Sequence, residues 1–248
     1  MHIDVVGSGP RLVLVHGSGR SGWPAQRPLA DRYTLVMPTR SGYPPNPPLA
    51  RIDFDRQAEE LLAQLKAGDH LVGHSYGGVV SLLAAPRAAQ LRSLTVTEPP
   101  AFRLAPGDAA VDELVSKLAE LWPTELPPDA FLRRFVAAVG AAYEASSPLP
   151  PEVEVSVRAM MAERPPWEAE IPIDDLRTMP FPKLVVSGGH HAAFDAVCDV
   201  LERELEAERA VVTGAGHSIP RAGEPFNVVL ERFVVAAEGP EGTAREAK

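Results

Sequence analysis

The stretch Gly73-His74-Ser75-Tyr76-Gly77 constrains the fold more than any other part of the chain. A short apolar run, Leu71-Val72, precedes it, and Gly78-Val79-Val80-Ser81-Leu82-Leu83 follows with the character of a helix. A strand must therefore turn into a helix within a single residue. The serine at that corner is forced into a strained backbone conformation. Side chains at the flanking positions would collide, so glycines occupy them. The hydroxyl then stands clear of the sheet, above a helix N-terminus whose N–H groups can face a developing negative charge.

The rest of the chain supplies strands and helices in alternation. Ile3–Val6 reads as a first edge strand, and Leu12-Val13-Leu14-Val15 as a buried strand ending in His16-Gly17-Ser18-Gly19. Its continuous apolar run suits a parallel sheet covered by helices on both faces. Tyr33–Met37 is the next strand and is expected to stop at Pro38. Phe54, Ala58, Leu61, Leu62 and Leu65 have helical spacing. After the serine corner and its helix comes a strand over Leu91–Glu98, closed by Pro99-Pro100. Strand-like runs then give way to amphipathic helices over Ala109–Trp122, Ala130–Tyr143 and Val153–Ala162, separated by proline clusters. Alternation resumes with strands at Lys183–Ser187 and Ala210–Thr213 and helices at Ala192–Glu206 and Glu224–Ala236.

This pattern predicts an α/β protein, a doubly wound, mostly parallel sheet with an inserted helical cap. Residues 1–100 and 181–237 form the main domain, 101–180 the cap, and 238–248 a polar tail expected to be disordered. Sites in such sheets lie at the carboxyl ends of the strands. Ser75, His16–Gly19, Glu98, the Ser187–His191 turn and His217 all fall there.

Composition narrows the function. A chain of 248 residues builds one large core, alone or with a small appendage. The net charge of −9, with no basic run, argues against nucleic acid and against anionic membrane surfaces. Cys198 is the single cysteine, so no internal disulfide forms, and its helical surroundings suggest a buried structural thiol. The N-terminus has neither a basic nor an apolar targeting segment, and no run of about 20 apolar residues exists. A cytoplasmic location is the default expectation. The sequence says nothing of oligomeric state.

A serine hydroxyl is a poor nucleophile at neutral pH and needs a base within hydrogen-bond reach. His217, in the pliable loop Gly214-Ala215-Gly216-His217 between the last strand and the last helix, is the best candidate. His2 and His70 read as incidental, and His74 as a packing residue. The backbone N–H groups of Tyr76 and Ser18 are the expected oxyanion donors. His190-His191 invites a metal reading, but adjacent histidines diverge and no carboxylate or cysteine is suitably spaced nearby, so neither a metal nor another cofactor is expected.

The ordered set of His16-Gly17-Ser18-Gly19 after a strand, Gly73-x-Ser75-x-Gly77, a helical insert and Gly216-His217 resembles the α/β-hydrolase superfamily over nearly the whole chain. That resemblance implies an α/β-hydrolase fold and hydrolysis of esters, lactones, amides, epoxides or carbon–carbon bonds. A serine nucleophile disfavours the branches that use aspartate. The chain departs from the superfamily at the triad acid. The turn that usually carries an aspartate reads Ser187-Gly188-Gly189-His190-His191, with no carboxylate. Glu98 is the preferred replacement, because a charge closing an apolar strand and pinned by two prolines is a costly place for an idle carboxylate. Asp195 is the alternative. Some α/β-hydrolases place the acid where Glu98 lies, among them the lactonases that open the macrocycle of zearalenone; the likeness is in the order serine–glutamate–histidine and in the size of the cap.

The expected activity is a serine hydrolase acting on a carboxylic ester or lactone of a hydrophobic small molecule through an acyl-enzyme. The alternatives are a ligand-binding protein on the same fold with weak hydrolase activity, or a thioesterase, carbon–carbon hydrolase or perhydrolase. Most bulky apolar residues of the cap read as its core. Trp167, in a proline-rich return segment, and Phe102, just beyond Glu98, are the candidates for the wall of the substrate pocket.

Overall fold

A computed structural model describes residues 1–19, 23–88, 90–123, 125–141 and 143–242. The strands are β1 His2–Val6, β2 Arg11–Val15, β3 Thr34–Thr39, β4 His70–His74, β5 Ser93–Thr97, β6 Lys183–Ser187 and β7 Glu208–Val211. The helices are α1 Phe54–Leu62, α2 Tyr76–Ala84, α3 Ala109–Ala119, α4 Pro128–Ala138, α5 Pro151–Met161, α6 Ile173–Thr178, α7 Ala192–Leu205 and α8 Glu224–Gly242. The strands form one sheet in the order β1-β3-β2-β4-β5-β6-β7. β1 runs antiparallel to β3, and every other neighbour is parallel. The order reverses direction at β2, so the carboxyl ends of β2 and β4 border the crevice where such sheets bind ligands.

Alternate residues of the central strands enter different apolar clusters. Val13, Val15, Leu71 and Val185 point to one face, and Leu12, Leu14, Val72, Leu184 and Val186 to the other. α8 covers the second face with Phe226, Leu230 and Phe233. The first cluster continues through α1, α2 and α7 into α3, α4 and α5, so the inserted helices share a core with the sheet. Among the described residues, 101–180 contain helices and no named strand.

Local chemistry accounts for the boundaries. Asp108 caps α3 by accepting from the N–H groups of Ala110 and Val111. The proline pairs at 127–128 and 150–151 start α4 and α5, where a missing N–H costs no hydrogen bond. β3 runs through Pro38 to Thr39 instead of stopping before it. Its ladder with β2 ends at Val36, so the proline breaks no bond on that side. α6, a helix of only six residues, carries no clear sequence signature.

The polar tail was expected to begin at Glu238. Instead α8 passes that residue, bends at Gly239 and continues to Gly242. The Glu238 carboxylate accepts a 2.7 Å hydrogen bond from Nε2 of buried His70, and the other ring nitrogen of His70 lies 2.7 Å from the Ser93 hydroxyl. His70 thus ties the end of α8 to the amino ends of β4 and β5. Residues 243–248 lie outside the described residues.

Phe131 on α4 is fully buried, edge-on to Trp122 at 5.0 Å and stacked on Phe135 at 6.1 Å. Phe131→Ala is expected to destabilise the protein by about 3–5 kcal/mol through lost burial and an unfilled cavity. Urea unfolding monitored by tryptophan fluorescence measures this; a loss below about 1 kcal/mol would mean that the inserted helices do not share the core's cooperativity.

Candidate active site

Ser75 ends β4 and starts α2 with φ 51° and ψ −124°, far from either regular region. A Cβ at Gly77 would come within 2.4 Å of the carbonyl oxygens of Val15 and His16, so α2 meets the end of β2 only with glycine there. Four non-glycine residues among those described have positive φ, and two of them are Ser75 and Glu98, at 51° and 41°.

The structure brings the three sequence-predicted residues together. The Ser75 hydroxyl lies 2.9 Å from Nε2 of His217. Nδ1 of the same ring donates to Oε2 of Glu98 at 2.7 Å. All three side chains are buried. A buried carboxylate is tolerated only when its oxygens are occupied. The second oxygen, Oε1, accepts the N–H of Gly188 at 2.7 Å. The turn that lacks an acid therefore serves one: its backbone holds the carboxylate that β5 delivers. Nδ1 of His190 also lies 3.3 Å from Oε1 of Glu98, too poorly aligned for a hydrogen bond.

Asp195 is occupied elsewhere. Its Oδ1 accepts from the Ser187 hydroxyl at 2.6 Å and from Arg209 at 3.3 Å. The adjacent histidines diverge, His190 donating from Nε2 to the Val139 carbonyl and His191 capping α7 through Nδ1. Among the described residues no group of three His, Cys, Asp or Glu could hold a metal ion. Cys198 is buried in α7, and burial pushes its thiol pKa up.

Two neighbours of His217 escaped the sequence reading. Phe194 stacks on its ring at 4.4 Å with the planes 28° apart, yet in sequence it is one more apolar residue on a helix. His74, read as a packing residue, donates from Nε2 to the His217 carbonyl at 2.9 Å and so fixes the loop behind the ring. Its place beside the serine was the signal available. Burial, aided by the neighbouring His217, lowers the His74 pKa to about 3, so His74 stays neutral and donates from one nitrogen only.

The Gly17-Ser18 loop passes close above the serine: a Cβ on Gly17 would lie 2.8 Å from that of Ser75. Among the described residues neither the Ser18 nor the Tyr76 N–H has a hydrogen-bond partner. Both residues border a narrow cavity of about 20 Å³ beside Ser75, which Phe102 and Trp167 also line. A wider lobe of about 100 Å³ opens from Ser75 and His217 between α4 and α5, walled by Leu132, Val136, Val157 and Met160.

This corner, relay and loop are those of the α/β-hydrolase fold. The sequence profile of the alpha/beta hydrolase family matches residues 12–229, and the chain belongs to that family. It is 37% identical over 107 residues to a pimeloyl-[acyl-carrier protein] methyl ester esterase of Aeromonas hydrophila, a match covering 40% of this chain and 42% of that protein. The chain thus matches about two fifths of that relative's length. Among solved structures, an alpha/beta hydrolase from Sphaerobacter thermophilus superposes with a TM-score of 0.66 at 24% identity, covering 94% of this chain and 95% of that one. A mutant of the N-acyl homoserine lactonase AidH complexed with N-hexanoyl homoserine lactone superposes with a TM-score of 0.70 at 17% identity, covering 95% and 93%. At these identities the superpositions establish the fold. No helix among the described residues is long and apolar enough to cross a membrane.

The buried histidines predict a pH dependence of stability. Burial lowers the pKa of His74, of His16 (aided by Arg40) and of His70. Unfolding returns these rings to water, where they titrate near pH 6.5. Between that value and the lower folded ones the unfolded chain binds more protons, so stability is full above about pH 6.5 and falls as the pH drops. Each ring contributes at most roughly 1.4 kcal/mol per pH unit. Urea midpoints measured at pH 7 and pH 5 should therefore differ, with the lower midpoint at pH 5; equal midpoints would contradict the neutral state of these rings.

Proposed function

We propose that the chain is a serine hydrolase that cleaves a carboxylic ester or lactone of a small hydrophobic molecule through an acyl-enzyme. The observation that carries this reading is the unbroken relay from the Ser75 hydroxyl through His217 to Glu98, at 2.9 and 2.7 Å. As the Ser75 oxygen attacks the carbonyl carbon, His217 takes its proton at Nε2. Glu98 holds the imidazole tautomer with Nδ1 protonated and stabilises the imidazolium. Phe194 stacked on the ring restricts its rotation. The N–H groups of Ser18 and Tyr76, without a partner among the described residues, receive the oxyanion, a role for which each donor is typically worth a factor of about 10²–10³ in rate. The imidazolium returns its proton to the leaving alkoxide. Water then attacks the acyl-enzyme with His217 again as base, and no cofactor is needed.

The two cavities suggest the substrate's shape. The wider lobe suits a short apolar chain, and the narrow one a group about the size of a methyl. The similarity to an enzyme named as a methyl ester esterase agrees with a substrate that is small at one end. The alternative of a binding protein drew on the absent aspartate, and with Glu98 held against His217 it loses that motive.

A fluorophosphonate probe is expected to add once to the wild-type chain by intact mass and not at all to Ser75→Ala. Glu98→Gln should lower kcat at least about tenfold, while Asp195→Asn leaves it within about twofold. Wild-type activity in Glu98→Gln would reject the acid assignment. Across a panel of esters, thioesters and lactones, activity is expected to favour short apolar esters and lactones.

Trp167→Ala opens the narrow cavity. It should raise kcat/KM for an isopropyl ester relative to the methyl ester of the same acid by about tenfold, the scale on which pockets discriminate small apolar groups. An unchanged ratio would remove Trp167 from the pocket wall.

A further inference from the structure

We infer that Glu163, carried by the cap segment, is a positioning residue for the oxyanion loop, so that the cap builds part of the catalytic centre as well as covering it. This inference rests on the serine-hydrolase reading above. Glu163 follows α5 and is only 4% exposed. Its backbone is pinned by a parallel bridge to Ile52, whose N–H donates to Ala162 O at 2.8 Å and whose carbonyl accepts from Arg164 N–H at 2.7 Å. Every side-chain bond of Glu163 runs to the main domain. Oε2 accepts the Ser18 hydroxyl at 2.5 Å. Oε1 accepts Arg40 Nη2 at 2.6 Å and the Tyr43 hydroxyl at 2.7 Å.

Arg40, fully buried after β3, completes the device. It donates to the His16 carbonyl from Nε and to the Gly17 carbonyl from Nη2, both at 2.9 Å. His16 Nδ1 donates to the same Gly17 oxygen at 2.7 Å. The Gly17 carbonyl and the Ser18 N–H belong to one peptide group, and in a trans peptide they point in opposite directions. Holding the oxygen toward Arg40 therefore turns the Ser18 N–H the other way, and no described residue occupies it. The hydroxyl bond to Glu163 fixes the far side of the same residue. A buried guanidinium needs a counter-charge, and Glu163 provides it across the junction between cap and sheet. The ion pair and the oxyanion loop are consequently one mechanical unit.

This unit explains features that the relay leaves idle: two buried charges, and a serine in the loop whose proposed catalytic atom is its backbone nitrogen. A purely structural ion pair would affect stability and leave the chemical step alone. Ser18→Ala separates the two cases, because it leaves the Arg40–Glu163 pair and the Arg40 bonds to the loop carbonyls in place and cuts only the direct hydrogen bond from Ser18 to Glu163.

With p-nitrophenyl butyrate as substrate, Ser18→Ala is expected to lower kcat about tenfold with KM within about twofold, as a misplaced donor should. Its inhibition constant for a trifluoromethyl ketone, which binds as an oxyanion, should rise in parallel, and Ser18→Thr should recover most of the loss. Glu163→Gln should lose more; should it fail to fold, Ser18→Ala decides alone. Wild-type kcat and wild-type ketone affinity in Ser18→Ala would overturn the inference. Fluorophosphonate labelling of the unsubstituted chain keeps the two ideas apart: no label at Ser75 sinks the serine-hydrolase reading itself, whereas a labelled wild type with an indifferent Ser18→Ala sinks only the role of Glu163.

Discussion

A serine held at positive φ between a buried strand and a buried helix costs on the order of 1–3 kcal/mol, and the surrounding packing must hold it there. Here β4 lies in the middle of the sheet, α2 is buried along nearly its whole length, and Gly77 lets the helix press against the end of β2. The backbone of the corner is enclosed by β2, α2 and the Gly17 loop, while its hydroxyl faces the cavities. Every other part of the site is placed relative to that corner: the loop after β2 lies above it, the ring of His217 hangs over it, and residues of the inserted helices line the cavities beside it.

Two buried glutamates divide the electrostatic work. Glu98 faces His217, and its other oxygen is filled by a backbone N–H from the turn after β6. Glu163 faces Arg40, and its other oxygen is filled by the Ser18 hydroxyl. In both cases the carboxylate crosses between segments far apart in sequence, and in both every oxygen has a partner. Uncompensated charge at either position would be expensive in so dry an environment. The same dryness keeps His74 neutral, which suits a residue whose task is to donate one hydrogen bond to the backbone of His217.

The helical segment 101–180 belongs to this arrangement in more than one way. Its aromatic residues continue the core of the sheet, its cavities flank Ser75, and the Val139 carbonyl at the end of α4 accepts from His190 beside Glu98. The insertion is interlocked with the carboxyl end of the sheet, and under the proposed function it would both bound the substrate and hold the residues that act on it.

Much of this was written locally. The serine corner, the apolar runs of the buried strands, the helix after each strand and the glycine loop around His217 depend on sterics and periodicity that a single sequence displays. The superfamily resemblance followed from their order. Glu98 was legible as a charge with no local reason to be there. What stayed hidden depended on segments meeting in space. Gly188 became the partner of Glu98 only when β5 and β6 paired. Asp195 found its partners, Ser187 and Arg209, only when α7 packed beside β6 and β7. The end of α8 was held by a histidine some 168 residues away, and Glu163 met Ser18 across 145. Sequence determined which groups were present and which local conformations they favoured. Tertiary packing decided which of them were desolvated and which partner each then required, because a buried charge or hydrogen-bonding group is stabilised only by what the fold brings within about 3 Å of it.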